Sequence, residues 1–372
     1  MANPDSKLFI GLMSGTSADG IDSALVHIDD AHIELIEFAT YPLSTALKDQ
    51  LLKLNQNCEI SLETLCQLQY SVANEFAAAT QTLLKQNRLD KSDICAIGSH
   101  GQTIYHAPHI PMTLQIGHPA IIAKQTGIQV AGDFRVDDMA LGGQGAPFAP
   151  AFHQALFSQM HDTFVVNIGG IANISFLPGM NNHQPIIGWD CGPGNCLMDE
   201  LSQREFAQSY DADGAIAQQG RVNSALLTLC LADSYFAQNY PKSTGRDLFN
   251  WQWLQHKLDQ LDRISNLDIM ATLAELTAKT ISQDIERLPS DRTGNIIISG
   301  GGAYNPYLMA RLQQFLPSFK VISSDQLDIA ADAIEAMMCA WLAQQRIELQ
   351  SVPLASVTGA QRNAVLGGLW HP

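Results

Sequence analysis

One acid, Asp190, stands in a run of small residues, Ile187-Gly188-Trp189-Asp190-Cys191-Gly192-Pro193-Gly194-Asn195, at the expected end of a strand. A carboxylate at a strand end on a rigid scaffold is suited to take a proton from a water or hydroxyl. The same residue type also closes Asx turns, and the residues alone leave both roles open. Ser99-His100-Gly101-Gln102 is followed by His106, His109 and His118. Their spacing matches no zinc pattern and Pro108 and Pro111 interrupt any helix between them, so polar recognition by His100 and Gln102 is expected in place of metal binding. Arg135, in Gly132-Asp133-Phe134-Arg135, could grip a carboxylate with two parallel N–H bonds or form a plain surface ion pair. Asp332 and Glu335, three apart on an expected helix, share a face that points either to solvent or to a cleft.

Two hairpins offer a different chemistry. Phe9–Ile28 and Phe164–Leu177 each read as an apolar strand, a turn of Gly, Ser, Thr or Asn, and a second apolar strand. Such turns present peptide N–H groups with little side-chain obstruction, as an anionic phosphate requires. Ser14, Gly15, Thr16 and Ser17, followed by Asp19 and Asp22, exceed what a two-residue turn needs. Gly169-Gly170 alone would be an ordinary hairpin, and its reading rests on the pairing with the first. Neither a P-loop nor a dinucleotide fingerprint occurs. Two such turns in separate halves suggest a nucleoside triphosphate held between two related domains, with nearby carboxylates recruiting Mg²⁺. Gly300-Gly301-Gly302, between the strand Asn295–Ser299 and a helix start near Pro306, is either a loose strand-to-helix loop or a place for a flat base to lie against backbone, and the second reading is favoured.

The elements that must position these residues alternate in type. Strands are expected at 7–13, 20–28, 32–39, 94–98, 113–116, 128–131, 186–189 and 295–299. Helices are expected at 44–56, 61–87, 195–208, 222–236, 267–287 and 328–346. Leu62, Leu65, Leu68, Val72 and Phe76 recur at helical spacing in the second of these. The alternation points to a layered α/β architecture. At 372 residues the chain is long enough for two domains. Gly142–Pro150 reads as the passage between them, and the boundaries are expected at 1–138 plus 348–372 and at 139–347. A net charge of −16 argues against nucleic acid or an anionic membrane surface as partner. Seven cysteines without a Cys-x-x-Cys pair fit a reducing compartment. The absence of a leader pattern and of any spanning apolar run gives a cytoplasmic expectation.

In combination these residues resemble the anhydro-N-acetylmuramic acid kinases of the actin-like and sugar-kinase superfamily. The blocks that carry the resemblance are GLMSGTSADGID (11–22), SHGQT (99–103), GDFRVDDMALGGQGAP (132–147), NIGGIANIS (167–175), GWDCGPGN (188–195), KSTGRDLFNWQWL (242–254), ISGGGAYN (298–305) and EAMMCAWLA (335–343). Cys191, Asp247 and Cys339 depart from the residues usual in the family, Thr, Glu and Phe. The resemblance implies a two-domain actin-like ATPase (ribonuclease H-like) fold with mixed sheets flanked by helices and a central cleft. It implies ATP and Mg²⁺ as cofactors, the sugar 1,6-anhydro-N-acetylmuramic acid as substrate, a homodimer, and a role in peptidoglycan recycling.

Carried onto this chain, Asp190 and Glu335 would be catalytic. Nucleotide contacts would come from Gly11, Met13, Ser14, Gly15, Thr16, Ser17, Ala18, Asp19 and Gly20, from Asn167, Gly169, Gly170 and Asn173, and from Gly300, Gly301 and Gly302. The sugar would meet His100, Gln102, Arg135, Asp137, Gly192, Pro193, Gly194 and Asn195. No protein ligands to a metal are assigned. The residues alone also admit an ordinary sugar kinase, an ATP-cycled binding module and a nucleotide-free glycosidase.

Overall fold

The computed structural model describes residues 7–15, 18–29, 32–56, 59–157, 161–288 and 294–372. The chain divides into two compact units, Met1–Phe152 with Ala333–Pro372, and His153–Asp332. The segments 139–152 and 333–347, expected with the second domain, therefore pack with the first. The physical reason is the helix Ile334–Ile347, which lies directly on the first unit's sheet.

That sheet contains β1 (Leu8–Ser14), β2 (Ile21–Ile28), β3 (Ile33–Tyr41), β4 (Ile94–Ala107), β5 (Met112–Ile116), β6 (Val130–Gly132) and the C-terminal strand Gly368–Trp370. Its order is Gly368–Trp370, β6, β4, β1, β2, β3, with β5 hairpinned onto β4. β1, β2 and β3 form an antiparallel meander, whereas β1–β4 and β4–β6 are parallel. Alternation along β1 sends Ile10 and Leu12 to one face, where they are buried with Val72, Phe76 and Leu83 of the helix Leu62–Gln86. That helix starts at Ser61, whose hydroxyl accepts the Thr64 N–H, and its buried stripe runs at helical spacing as expected.

Gly11 and Gly98 face the other way, toward the helix Ile334–Ile347. A β-carbon at Gly11 would come within 1.7 Å of the Ala336 carbonyl oxygen, and one at Gly98 within 1.8 Å of the Cys339 carbonyl oxygen. These two positions set how closely the helix carrying Glu335 can approach the sheet.

The second unit contains β7 (Thr163–Ile168), β8 (Ile171–Leu177), β9 (Ile187–Pro193), β10 (Asn295–Ser299) and β11 (Lys320–Ser323), in the order β11, β10, β7, β8, β9. Again the first three strands form an antiparallel meander, and β7–β10 and β10–β11 are parallel. Both units thus repeat one topology, three meander strands followed by two parallel strands added beyond the first. This is the mixed-sheet α/β fold that the resemblance implied. The second core joins Phe164, Phe176 and Phe319 with Ala278 and Ile281 of the helix Asn266–Glu286.

Three expectations shift. β4 continues to Ala107, so the SHGQT residues lie in a strand rather than after one. The last long helix begins at Ile334, not near 328, because Asp328 adopts a left-handed conformation (φ 61°) that ends a short 3₁₀ turn. The stretch 222–236 is two helices, Ser224–Leu231 and Ser234–Ala237, separated where Asp233 accepts the Tyr235 N–H as a new cap.

Candidate functional site

In the first unit the β1–β2 turn is held by β4. Ser14 Oγ donates to Gln102 Oε1 at 2.7 Å, and Gln102 Nε2 donates to the Gly15 carbonyl at 3.0 Å. The Ala18 N–H closes the turn onto the same carbonyl at 3.0 Å, with Ala18 left-handed at φ 51°. Gln102, expected to read the sugar, braces the hairpin, with both ends of its amide engaged within the protein. Thr16 and Ser17, expected phosphate contacts, lie outside the described residues. Gly11 sits under the helix Ile334–Ile347, Met13 is buried, and Gly20 packs against Tyr41. All three are packed within the protein and shape the hairpin. Asp19 is exposed and pairs with Lys48 at 3.0 Å.

Arg135 and His100 form one hydrogen-bonded unit. Arg135 Nε donates to His100 Nε2 at 2.8 Å, and its Nη1 donates to the Gly145 carbonyl at 2.7 Å. Because guanidinium can only donate, Nε2 must carry the lone pair and the proton sits on Nδ1, which donates to the Gly101 carbonyl at 2.9 Å. Burial, and next the Arg135 charge, push the imidazole down to about 3, so His100 is a neutral fixture. Three of Arg135's five N–H bonds remain for a ligand. Its edge through Nε is taken, which rules out the parallel two-bond grip on a carboxylate through that edge while His100 is bound.

Asp137, assigned to the sugar, accepts the Gly367 N–H at 2.7 Å and so ties down the C-terminal segment. Asp138, not singled out in the sequence, is buried and accepts the Gly145 N–H (2.8 Å) and the Thr358 hydroxyl (2.7 Å). It thereby fixes the loop whose carbonyl holds Arg135. Glu335 keeps solvent-accessible surface yet is crowded by protein atoms. Desolvation raises its pKa, Arg135 pulls it back, and the Asp22 charge raises it further.

In the second unit Asp190 sits on β9 opposite Asn173 of β8. The register skips at Cys191, a bulge that re-aims the side chains around it. A loop from a distant part of the chain holds the carboxylate. Asp190 Oδ2 accepts from Ser243 Oγ at 2.9 Å and from the Thr244 N–H at 3.0 Å. Behind it, the Asp190 N–H donates to the Lys242 carbonyl (3.0 Å) and the Tyr235 hydroxyl donates to the Asp190 carbonyl (2.7 Å). Lys242 is itself buried and ion-paired with Asp284 at 3.0 Å, and Asp284 also accepts the Trp189 indole N–H at 3.0 Å. Burial raises the Asp190 pKa, and its two hydrogen bonds partly offset this. The outcome is a carboxylate with one fixed oxygen and one oxygen without a partner among the described residues.

The glycine-rich segments fit together beside it. A β-carbon on Gly194 would fall 2.3 Å from the Gly169 carbonyl oxygen, and one on Gly192 2.7 Å from the Phe236 ring. Gly192, Pro193 and Gly194, assigned to the sugar, are buried; they seat the end of β9 on the second hairpin. Asn167 and Ile168 likewise meet Gly300 and Gly302, where β-carbons would fall 2.3 and 2.5 Å from their side chains. Gly301 is exposed, and with Asn195, Asp199, Tyr210, Tyr304 and Asp332 it lines a cavity of about 530 Å³. Desolvation raises the Asp199 carboxyl to about 6. The cavity is large enough for a nucleoside, with two aromatic rings, an amide and carboxylates on its walls.

Sequence reasoning missed Ser243, Thr244, Asp138 and the bracing role of Gln102. The block KSTGRDLFN was visible, but nothing in its local pattern tied it to Asp190. Among the described residues no group of three or more His, Cys, Asp and Glu side chains could hold a metal ion. The acids flanking the first hairpin, Asp19 and Asp22, have the hard oxygen donors that Mg²⁺ takes, so such an ion would owe most of its ligands to phosphate and water.

A family model described as anhydro-N-acetylmuramic acid kinase matches residues 7–372. A protein of that name from Hydrogenovibrio crunogenus is 53% identical over 372 residues, covering 100% of both chains. Another from Vibrio vulnificus is 46% identical over 367 residues, covering 98% of each. Among solved structures, component A of the (R)-2-hydroxyglutaryl-CoA dehydratase of Acidaminococcus fermentans aligns at 11% identity and a TM-score of 0.49, over 90% of this chain and 96% of that one.

Proposed function

Since the chain belongs to the anhydro-N-acetylmuramic acid kinase family, we propose that it opens the 1,6-anhydro ring of 1,6-anhydro-N-acetylmuramic acid and phosphorylates O6 with ATP. The products are N-acetylmuramic acid 6-phosphate and ADP, and the reaction serves recycling of cell-wall amino sugars. The observation that carries this reading is Asp190: a carboxylate oriented by Ser243 and Thr244, raised in pKa, on the strand next to a glycine turn.

The substrate's O6 is bonded to C1 in an internal acetal, so it is no free hydroxyl. Asp190 takes a proton from a water that attacks C1, and the C1–O6 bond breaks with its electron pair passing to O6. O6 then attacks the γ-phosphorus, the bond to the β–γ bridging oxygen breaks, and ADP leaves. The C1 oxygen comes from water, and the proton on Asp190 returns to solvent. The step parallels the inverting half of glycoside hydrolysis, with phosphorus capturing the departing oxygen in place of a general acid.

The base and ribose are assigned to the cavity beside Gly301, whose volume admits a nucleoside, and the phosphates to the glycine turns. A Mg²⁺ ion bound with the nucleotide would offset phosphate charge during transfer. In the first unit, Glu335, Arg135 and the fixed His100 offer a charged and polar grip for the sugar. A cytoplasmic location and a homodimer belong to the same reading.

The direct test is incubation with ATP, Mg²⁺ and the anhydro sugar, following ADP. Stoichiometric ADP and sugar 6-phosphate are expected. Equal turnover of a free-hydroxyl hexose, or ring opening without ATP, would replace this reading with an ordinary sugar kinase or a glycosidase.

A further inference from the structure

Arg246 is exposed and enters no ion pair among the described residues. Its guanidinium lies over the turn of the second hairpin: a β-carbon built on Gly170 would fall 2.8 Å from Nη2 and 3.1 Å from Nε. Among the described residues no carboxylate stands within ion-pair distance of it, and its side chain makes no hydrogen bond. Burial raises the pKa of Asp199 and of Cys196, at the start of the helix Cys196–Phe206, and the field of Arg246 partly offsets that rise.

The turn beneath is arranged with its carbonyls occupied. Gly169 O accepts the Asn195 N–H at 2.8 Å, and Gly170 O accepts those of Gly194 (2.9 Å) and Cys196 (3.1 Å). The N–H groups of Gly169 and Gly170 donate to no group among the described residues. Two unengaged peptide donors and an unpaired guanidinium around a residue with no side chain make a donor set for phosphate oxygens.

The loop that brings Arg246 there is the one that holds the base. Within Ser243-Thr244-Gly245-Arg246, the first two residues bond Asp190 and the last overlies Gly170. Thr244 Oγ1 is buried without a partner, a further polar atom of the same loop that the protein does not satisfy.

The geometry points to Arg246 as a residue that grips the terminal phosphate of a bound nucleoside triphosphate at the Gly169–Gly170 turn and offsets its charge during transfer. This assignment rests on the kinase reading above. A guanidinium suits the task because its planar fork meets two phosphate oxygens at once, which an ammonium does not.

The test compares wild-type, Arg246→Ala and Arg246→Lys proteins by titration with adenylyl imidodiphosphate and with adenosine, alongside thermal melting and steady-state kinetics. Loss of a charged hydrogen bond should weaken the triphosphate analogue about 10- to 100-fold in Arg246→Ala. Adenosine affinity and melting temperature should stay unchanged, and kcat should fall by about 10² to 10³. Lys should recover part of the analogue affinity. Equal losses for both ligands, or no loss for either, would overturn the assignment. A wild-type protein that binds neither adenosine nor the triphosphate analogue would instead sink the kinase reading on which it rests.

Discussion

At Asp190 the chain concentrates its chemistry in one oxygen. Oδ2 is held by Ser243 and the Thr244 N–H, so replacing the carboxylate by an amide keeps the shape and removes the base. Asp190→Asn should lower kcat by at least about 10² while nucleotide affinity stays within a factor of a few; near-normal turnover would move the base elsewhere. The acid limb of kcat/KM reports protonation of this group. Because burial raises the Asp190 pKa, that limb should lie above the ordinary aspartate range. The Ser243 hydroxyl favours the charged carboxylate, so Ser243→Ala should move the limb to still higher pH, and a shift toward acid would contradict the assignment. Asp190 was legible in the sequence because it is a lone acid among glycines. Its holders were not, since Ser243 and Thr244 arrive from another loop and leave no local pattern. Gln102 shows the converse: a polar residue near a glycine turn looks the same in sequence whether it faces a ligand or braces its own chain.

Between elements, the decisive contacts are where backbone meets backbone. Gly11 and Gly98 let the helix Ile334–Ile347 lie on β1 and β4, and that approach positions Glu335. Gly98→Ala would drive a methyl to 1.8 Å from the Cys339 carbonyl oxygen, which cannot yield unless the helix moves. A loss of about 1–3 kcal/mol in stability is expected, read as a lower denaturant midpoint, together with reduced kcat. Unchanged stability would show that the helix is not seated by these glycines. The hairpins and most strands were readable from short apolar runs bounded by turn residues. The start of the last helix was misplaced because Ile329 and Ala333 continue the apolar spacing of Met337 and Trp341, while the left-handed turn at Asp328 does not show in periodicity. Gly192, Gly194, Gly300 and Gly302, expected as ligand contacts, have their α-carbon faces packed against the protein, a close fit that sequence does not show, and Gly301 lines the cavity.

Over the whole molecule, one sheet topology occurs twice although the two halves show no sequence repeat beyond their hairpins. The α/β class and the presence of two domains were legible from length and alternation. Their true limits were not, because the last long helix returns to a sheet formed by strands far earlier in the chain. Each unit has its own apolar core, so a ligand for one should stabilise that one first. With adenylyl imidodiphosphate at about 100 times its Kd, binding should add about 2.7 kcal/mol to the unit that holds it. Hydrogen exchange should then slow in 167–173, 195–213 and 300–305. Protection confined to residues outside His153–Asp332 would place the nucleoside in the other unit.

The central claim is that water opens the anhydro ring as O6 takes the phosphoryl group, and turnover in ¹⁸O-water tests it most directly. Mass spectrometry of the product should find one ¹⁸O at C1, an unlabelled phosphate on O6 and one ADP for each sugar. A phosphorylated product with its anhydro ring intact, or label in the phosphate and none at C1, would contradict the account.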